Sequence, residues 1–202
     1  MDILHTYKSR RNSVQLIKAE NGIFVQKQYP RKESCIHEQM IYRLLHNTTL
    51  PHPEVAGVFF DRMTLVPLPG KTLLEELEEQ EKSGIISWEV WKKLAEWVIR
   101  FNKITGFVVT DPNLRNFIYD AENEILYGLD FEECAEGDVM ESIGRLAAFL
   151  LLYDPTYTPT KQTIAACILR EAADRLAIEP ETLLQKTKKQ EALLQMRRRS
   201  RQ

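Results

Sequence analysis

Short runs of alternating apolar and polar residues fill much of the first 66 positions, and such alternation is typical of half-buried β-strands. The runs predict four strands, at residues 14–19, 23–29, 55–60 and 63–66. Asn21-Gly22 favours a hairpin between the first two, because these residues tolerate the positive φ of a type I′ turn. Three- and four-residue apolar spacing then predicts a helix over 33–46, with an apolar side formed by Ile36, Met40, Ile41, Leu44 and Leu45.

The pattern changes at Pro67-Leu68-Pro69-Gly70, where two prolines and a glycine in four residues interrupt both kinds of regular structure. We therefore expect a hinge at 67–70 between an N-terminal region, residues 1–66, and a helical region, residues 71–184. Helices are predicted there at 73–82, from 88 to at least 101, at 139–153, at 161–176 and from 180 onward. A short buried run is predicted at 107–109, and short strands at 117–119 and 125–129. The tryptophans are expected to pack in this core: Trp88, Trp91 and Trp97.

Together these elements predict an α+β fold, and the composition is that of a globular protein. Of 202 residues, 44% are hydrophobic and only 9 are proline and 8 glycine, which excludes the disordered and fibrous classes. The longest apolar run, 146–153, is too short for a membrane-spanning helix, and no apolar signal segment opens the sequence. Three cysteines without CxxC spacing exclude a disulfide framework and a cysteine zinc site. We therefore expect a cytoplasmic protein.

The net charge of −2 is unevenly distributed along the chain. Residues 185–202 hold seven basic residues and one acidic residue, a net +6 that leaves −8 on the other 184 positions. This basic tail predicts docking to an acidic protein surface or a nucleic acid through its arginines: Arg197, Arg198, Arg199 and Arg201. The alternative is a solvated helix end, whose cations suit the negative end of the helix dipole.

Five polar residues stand beside or within apolar segments: Lys27, Glu38, Asp111, Asn116 and Asp130. Each alone has an ordinary explanation, since a strand lysine can extend its charged end into water and an aspartate after a strand can cap a turn. Their order is more informative. A strand lysine, a helix glutamate, the hinge, two helices, Asp-x4-Asn, a strand pair and Asp-Phe follow one another along the chain.

That order resembles the protein-kinase-like superfamily, in its compact branch of aminoglycoside and choline phosphotransferases, RIO kinases and the small kinase of the KEOPS complex. Val25-Gln26-Lys27 is similar to the strand-three lysine motif, and Glu38 to its partner on the next helix. Asp111 to Asn116 matches the end of the catalytic loop, and Asp130-Phe131 the first two residues of D-F-G. Asp138 is similar to the aspartate that braces the catalytic loop.

The resemblance implies a two-lobed fold, with a small antiparallel sheet lobe and a mainly helical lobe. It also implies ATP and Mg²⁺ as cofactors, with a hydroxyl group on a protein or small molecule as acceptor. Lys27 would contact the nucleotide phosphates and pair with Glu38, while Val66 and Leu68 in the hinge would contact adenine. The metal would be bound by Asn116 and Asp130, and Asp111 would orient or deprotonate the acceptor hydroxyl.

The sequence also departs from the family pattern. Residues 9–13, where a glycine-rich loop is expected, contain no glycine but carry Arg10 and Arg11. Val109 and Thr110 replace the residues that normally precede the catalytic aspartate, and Glu132 replaces the glycine of D-F-G. Two alternatives therefore stay open: a pseudokinase or nucleotide-binding scaffold without turnover, and a nucleic-acid-associated regulator that works through the tail.

Overall fold

The computed structural model of the protein describes residues 1–9 and 11–199. Over these residues the chain folds as an α+β protein, with six α-helices and a five-stranded antiparallel sheet as its largest sheet. The α+β class predicted from the sequence is confirmed. Within the described part of the chain, no helix combines the length and the apolar character needed to cross a membrane.

The five-stranded sheet is built from β1 (Asp2–Tyr7), β2 (Ser13–Ala19), β3 (Gly22–Gln28), β4 (Val55–Phe59) and β5 (Arg62–Leu65). Its strand order is β1-β2-β3-β5-β4, so β3 lies at the centre. The predicted hairpin between β2 and β3 is present, but it turns at Glu20-Asn21, and of the Asn21-Gly22 pair only Gly22 has a positive φ. Strand β1 was not predicted. All six of its residues are exposed, so it lacks the buried positions that give a strand its alternating pattern.

Helix α1 (Lys32–Leu45) follows the central strand. Its buried positions are Cys35, Glu38, Ile41, Tyr42 and Leu45. The predicted apolar side is therefore wrong in part, because Ile36, Met40 and Leu44 are all exposed. The helix carries two apolar stripes, and the stripe that contains Glu38 turns inward, where Lys27 lies.

After β5 the chain passes through the irregular segment 67–70 into the helical part of the molecule. Its helices are α2 (Leu73–Ser83), α3 (Trp88–Thr105), α4 (Val139–Leu151), α5 (Pro159–Leu176) and α6 (Pro180–Arg199). Five short strands accompany them: β6 (Lys71–Thr72), β7 (Phe107–Val108), β8 (Phe117–Asp120), β9 (Ile125–Gly128) and β10 (Ala135–Glu136). β6, β8 and β9 form one small sheet, and β7 pairs with β10.

Gly70 fixes where the irregular segment meets the small sheet. Its φ is +105°, and a Cβ at this position would lie 2.1 Å from the Tyr119 carbonyl oxygen. Only glycine therefore permits this backbone approach. Two residues later Thr72 caps α2 in a capping box with Glu75, so the helix begins where its side-chain chemistry predicts.

Two of the three tryptophans pack in the core. Trp91 and Trp97 are buried, and Trp97 stacks parallel to Phe101 and to Phe131. Trp88 is 44% exposed at the first turn of α3, so the expectation that it packs in the core is wrong.

Helix α6 contains much of the segment interpreted as a basic tail. It packs along α4 with Leu183, Thr187 and Gln190 buried, so residues 185–190 belong to the packed structure. Arg197 is exposed near its end. The side chains of Arg198 and Arg199, and all of Arg201, lie outside the described residues, as does Arg10.

Candidate active site

Lys27 is the centre of the candidate site. It lies on β3 between β2 and β5, opposite Val14 and Met63, which places it in the middle of the sheet. Its ammonium group donates to Glu38 Oε2 at 2.7 Å and to Asp130 Oδ1 at 2.5 Å. It also lies 3.6 Å from Glu132 Oε2. Lys27 and Glu38, paired on the basis of the sequence, are thus in direct contact, and Asp130 joins them from a position 103 residues away.

Glu38 is completely buried on α1 and accepts hydrogen bonds from three donors in two segments of the chain. Lys27 and the Tyr29 hydroxyl, at 2.7 Å each, donate to Oε2, and the Phe131 amide donates to Oε1 at 3.1 Å. Burial raises the pKa of Glu38, and the nearby Lys27 charge offsets only part of that effect. Glu38 therefore orients Lys27 and joins α1 to the backbone that follows Asp130.

The charge of Lys27 is set by two opposing effects. Burial by itself lowers the pKa of Lys27, but the carboxylates of Glu38, Asp130 and Glu132 outweigh burial and raise it. Lys27 is therefore a permanent cation at physiological pH.

Asp130 reaches Lys27 because the backbone reverses direction there. Its φ is +64°, in the left-handed region, which turns its carboxylate toward Lys27 while Phe131 enters the core. Two residues earlier, a Cβ at Gly128 would lie 2.2 Å from the Trp97 ring. The close packing of Trp97 on Gly128 and its stacking on Phe131 hold the backbone on both sides of Asp130.

Three carboxylates surround the single ammonium group. One oxygen each from Glu38, Asp130 and Glu132 lies within 4.8 Å of the others. Glu38 is buried and accepts from three donors of the protein, whereas the side chain of Asp130 is 35% exposed. Because hard oxygen ligands are those that Mg²⁺ prefers, Asp130 and Glu132 are the members of this group whose chemistry fits the cation.

The Asp111–Asn116 loop is joined to the strand that precedes Asp130. The Leu129 amide donates to the Asn116 carbonyl at 3.0 Å, and Asn116 Nδ2 donates to the Asp111 carbonyl at 3.2 Å. The side-chain nitrogen of Asn116 therefore holds the loop. Its side-chain oxygen is the atom that could bind a cation, because cations bind to oxygen and not to an amide NH2 group. The side chain of Asp111 is exposed, as an acceptor-binding residue requires.

Helix α4 braces this loop through residues that the sequence did not single out. Ser142 Oγ donates to the Val109 carbonyl at 3.4 Å, and Arg145 Nη1 donates to the Thr110 carbonyl at 3.1 Å. Asp138, expected as the brace, instead caps α4 by accepting from the Met140 amide at 2.9 Å. Arg145 and Ser142 interrupt an otherwise apolar face of α4, which marks the two positions in the sequence but does not identify the carbonyl groups that they contact.

Residues before β2 also reach the site. Asn12 Nδ2 donates to Glu132 Oε2 at 2.7 Å, and Arg11 forms an ion pair with Glu133. The β1–β2 loop, which stands where a glycine-rich loop was expected, is thus attached by side chains to the residues after Asp130.

The two residues predicted to contact adenine lie on the half-buried segment after β5. The Val66 amide donates to the Glu54 carbonyl at 2.9 Å, so this backbone donor is engaged within the protein. Leu68 offers a half-buried apolar side chain. An adenine contact by Val66 would therefore have to use its carbonyl oxygen.

No model of a protein family matches the sequence, and no curated protein sequence matches it.

Proposed function

We propose that the protein is an ATP- and Mg²⁺-dependent phosphotransferase with a two-lobed protein-kinase-like fold, and that it transfers a phosphoryl group to a hydroxyl acceptor. Residues 1–66 form the sheet lobe, 67–70 the hinge and 71–184 the helical lobe. The observation that carries this proposal is the contact of Lys27 with both Glu38, 11 residues away on the next helix, and Asp130, 103 residues away.

Each residue has a role in this proposal that follows from its contacts. Lys27, oriented by Glu38, would bind nucleotide phosphates, and Asp130, which now accepts from Lys27, would serve as a metal ligand. Asp130 and Asn116 hold Mg²⁺, and Mg²⁺ supplies neutralisation of the charge on the phosphates. Asp111, on the loop braced by Ser142 and Arg145, accepts the proton of the acceptor hydroxyl or orients it.

A pseudokinase or nucleotide-binding scaffold is the second candidate function. It is favoured by the 2.5 Å contact between Lys27 and Asp130, because this ion pair engages the phosphate-binding cation and the metal ligand with each other. Glu132, at the position of the D-F-G glycine, adds a third carboxylate beside the same ammonium group, after Glu38 and Asp130.

Asp130→Asn tests the metal site directly. Asparagine tolerates the positive φ of Asp130, so the substitution removes charge with little backbone strain. We expect this variant to lose the Mg²⁺-dependent part of the thermal stabilisation by ATP, since a weaker site raises the melting temperature less at the same ligand concentration.

Asp111→Asn separates enzyme from pseudokinase. This residue would contact the acceptor, so the variant should keep the thermal shift with ATP and Mg²⁺ while turnover falls by about 10²–10⁴-fold. A wild type with the thermal shift and no turnover on any acceptor tested would favour the pseudokinase. A wild type with no shift at millimolar ATP and Mg²⁺ would overturn both nucleotide-binding proposals.

A further inference from the structure

A cleft of about 330 Å³ lies between the β1–β2 loop and the start of α1. Its lining consists of Arg11, Asn12, Pro30, Arg31, Ser34 and Glu132. Two arginines and a serine bring hydrogen-bond donors to a cleft that is otherwise largely apolar, while Glu132 is its one carboxylate and is already hydrogen-bonded to the Asn12 amide. Guanidinium groups bind phosphate through paired N–H donors, so this lining fits a phosphate group.

The cleft adjoins the candidate active site through Glu132. This carboxylate forms part of the cleft wall, lies 3.6 Å from the Lys27 ammonium group and accepts from Asn12 at 2.7 Å. A ligand that carries several phosphates in a row can therefore contact Lys27 with one phosphate and the arginines of the cleft with the next.

Arg11 already binds an anion of the protein itself, the Glu133 carboxylate. Both side chains of this pair are about half exposed, 52% for Arg11 and 42% for Glu133. Exposed ion pairs contribute little to stability, so the guanidinium group can exchange Glu133 for a more highly charged anion. A terminal phosphate carries more charge than a carboxylate and offers three acceptor oxygens.

We propose that this cleft is a phosphate-binding site in which Arg11 takes the place of a glycine-rich loop. It binds the terminal phosphate of the nucleotide, and Glu133 is the internal competitor for the same guanidinium group. This assignment rests on the proposed function for the identity of the ligand, whereas the phosphate chemistry of the cleft rests on its lining.

Isothermal titration calorimetry with the full chain tests the assignment, using ADP and a non-hydrolysable ATP analogue, each with Mg²⁺. Arg11→Gln should weaken binding of the triphosphate about tenfold or more, since hydrogen bonds to charged groups contribute strongly, and should change ADP binding by less than about threefold. Glu133→Gln should strengthen triphosphate binding by up to about fivefold, because it removes the competitor.

Lys18→Gln is the matched control. Lys18 is an exposed cation on the same sheet, near the opposite end of β2, and its loss should leave both affinities unchanged within about twofold. Equal weakening of ADP and triphosphate binding by Arg11→Gln would overturn the assignment, as would weaker triphosphate binding by Glu133→Gln.

Inorganic tripolyphosphate distinguishes failure of the cleft from failure of the proposed function. If the wild type binds tripolyphosphate but neither nucleotide, and Arg11→Gln abolishes that binding, the proposed phosphate site is supported and the proposed nucleotide-dependent function is overturned. If the wild type binds none of the three ligands, the phosphate site is overturned as well.

Discussion

Two clusters of charge tie distant parts of this chain together, and they are built in opposite ways. The Lys27 cluster (Lys27, Glu38, Asp130 and Glu132) places three carboxylates around one buried cation. The Glu141 cluster (Glu141, Lys186, Lys189 and Gln190) places two lysines and an amide around one carboxylate. The first joins the large sheet to the helical part, and the second fastens α6 to α4.

The two glutamates at these sites show what burial does. Burial raises the pKa of Glu38, and Lys27 offsets that only in part. Hydrogen bonds from Lys186 and Lys189, with Gln190, lower the pKa of Glu141 to about 2, although slight burial acts against them. The Lys27 cluster has excess negative charge away from solvent. Such a cluster lowers the stability of the fold and is suited to binding a cation. In the Glu141 cluster the carboxylate is neutralised by two lysines close to solvent, and the cluster serves to attach one helix to another.

The largest expected difference between the clusters comes from removing a lysine from each. Lys27→Met leaves Glu38 buried without its cation, so the free energy of unfolding should fall by about 3–5 kcal/mol at neutral pH. Lys186→Met, in the partly exposed cluster, should lower it much less, because ion pairs near solvent contribute little to stability. Urea denaturation measures both.

The double variant Lys27→Met/Glu38→Gln controls for the Lys27 effect. It removes the buried carboxylate as well and should recover much of the lost stability. Equal losses for Lys27→Met and Lys186→Met would show that burial does not distinguish the two clusters.

Two buried tyrosines near Glu38 sharpen the comparison within one cluster. The Tyr29 hydroxyl donates to Glu38 at 2.7 Å, whereas the buried Tyr42 hydroxyl has no hydrogen-bond partner among the described residues. Tyr29→Phe should therefore lower the free energy of unfolding by about 1.5–3 kcal/mol. Tyr42→Phe should leave it unchanged or raise it by up to about 1 kcal/mol, because it removes a buried polar group. A larger loss for Tyr42→Phe in the same denaturation experiment would contradict this reading of the two hydroxyls.

Lowering the pH should separate Glu141 from Glu38. The pKa of Glu141 is lowered in the folded protein, so its contribution is present above the unfolded value near 4.5 and is lost as the pH falls toward 2. The free energy of unfolding of wild type should exceed that of Glu141→Gln by about 1 kcal/mol at pH 7, and this difference should shrink by pH 2.5.

The comparison with Glu38→Gln should change in the opposite direction. Because the pKa of Glu38 is raised, the folded protein takes up this proton more readily than the unfolded chain. The free energy of unfolding of wild type should therefore rise relative to that of Glu38→Gln as the pH falls toward 4.5. Denaturation curves across this range check both signs, and differences that do not vary with pH would exclude the assigned shifts.

The smallest effect is expected at the end of α6. Removal of residues 197–202 should change the free energy of unfolding by less than about 0.5 kcal/mol, because exposed charges contribute little. If the arginines dock to an acidic partner, the truncated protein should also lose salt-dependent retention on immobilised heparin. Truncation after Leu184 is the contrasting control, since it removes the buried Thr187 and Gln190 and should cause a large loss. Loss of cooperative unfolding on removing 197–202 would show that the end of α6 is structural.

The sequence predicted most elements because their apolar spacing was regular, and it identified Lys27, Glu38 and Asp130 because each stands next to an apolar segment. It could not predict which stripe of α1 turns inward. Both stripes are apolar, and the choice depends on the position of Lys27 on a separate element. Strand β1 escaped prediction because an exposed edge strand needs no alternation.

The residue that braces the Asp111–Asn116 loop was predicted wrongly for a related reason. Asp138 has the residue type of a brace, but it also has the residue type of a helix cap, and the latter is where the structure places it. Ser142 and Arg145 act on backbone carbonyls, and any sequence presents such acceptors, so no pairing of residue types could reveal these contacts.

The packing of Trp97 gives the molecule an optical signal of its own. Its indole ring lies against Gly128, stacks on Phe131 at an interplanar angle of 7°, and donates to the Pro51 carbonyl at 2.9 Å. The residues on both sides of Asp130 thus touch one fluorophore. Movement of Asp130 away from Lys27 changes the surroundings of that ring and with them its emission. A quencher dissolved in the buffer reduces the emission of the exposed Trp88 and not that of the buried tryptophans. Tryptophan fluorescence can therefore report on the site without an added label.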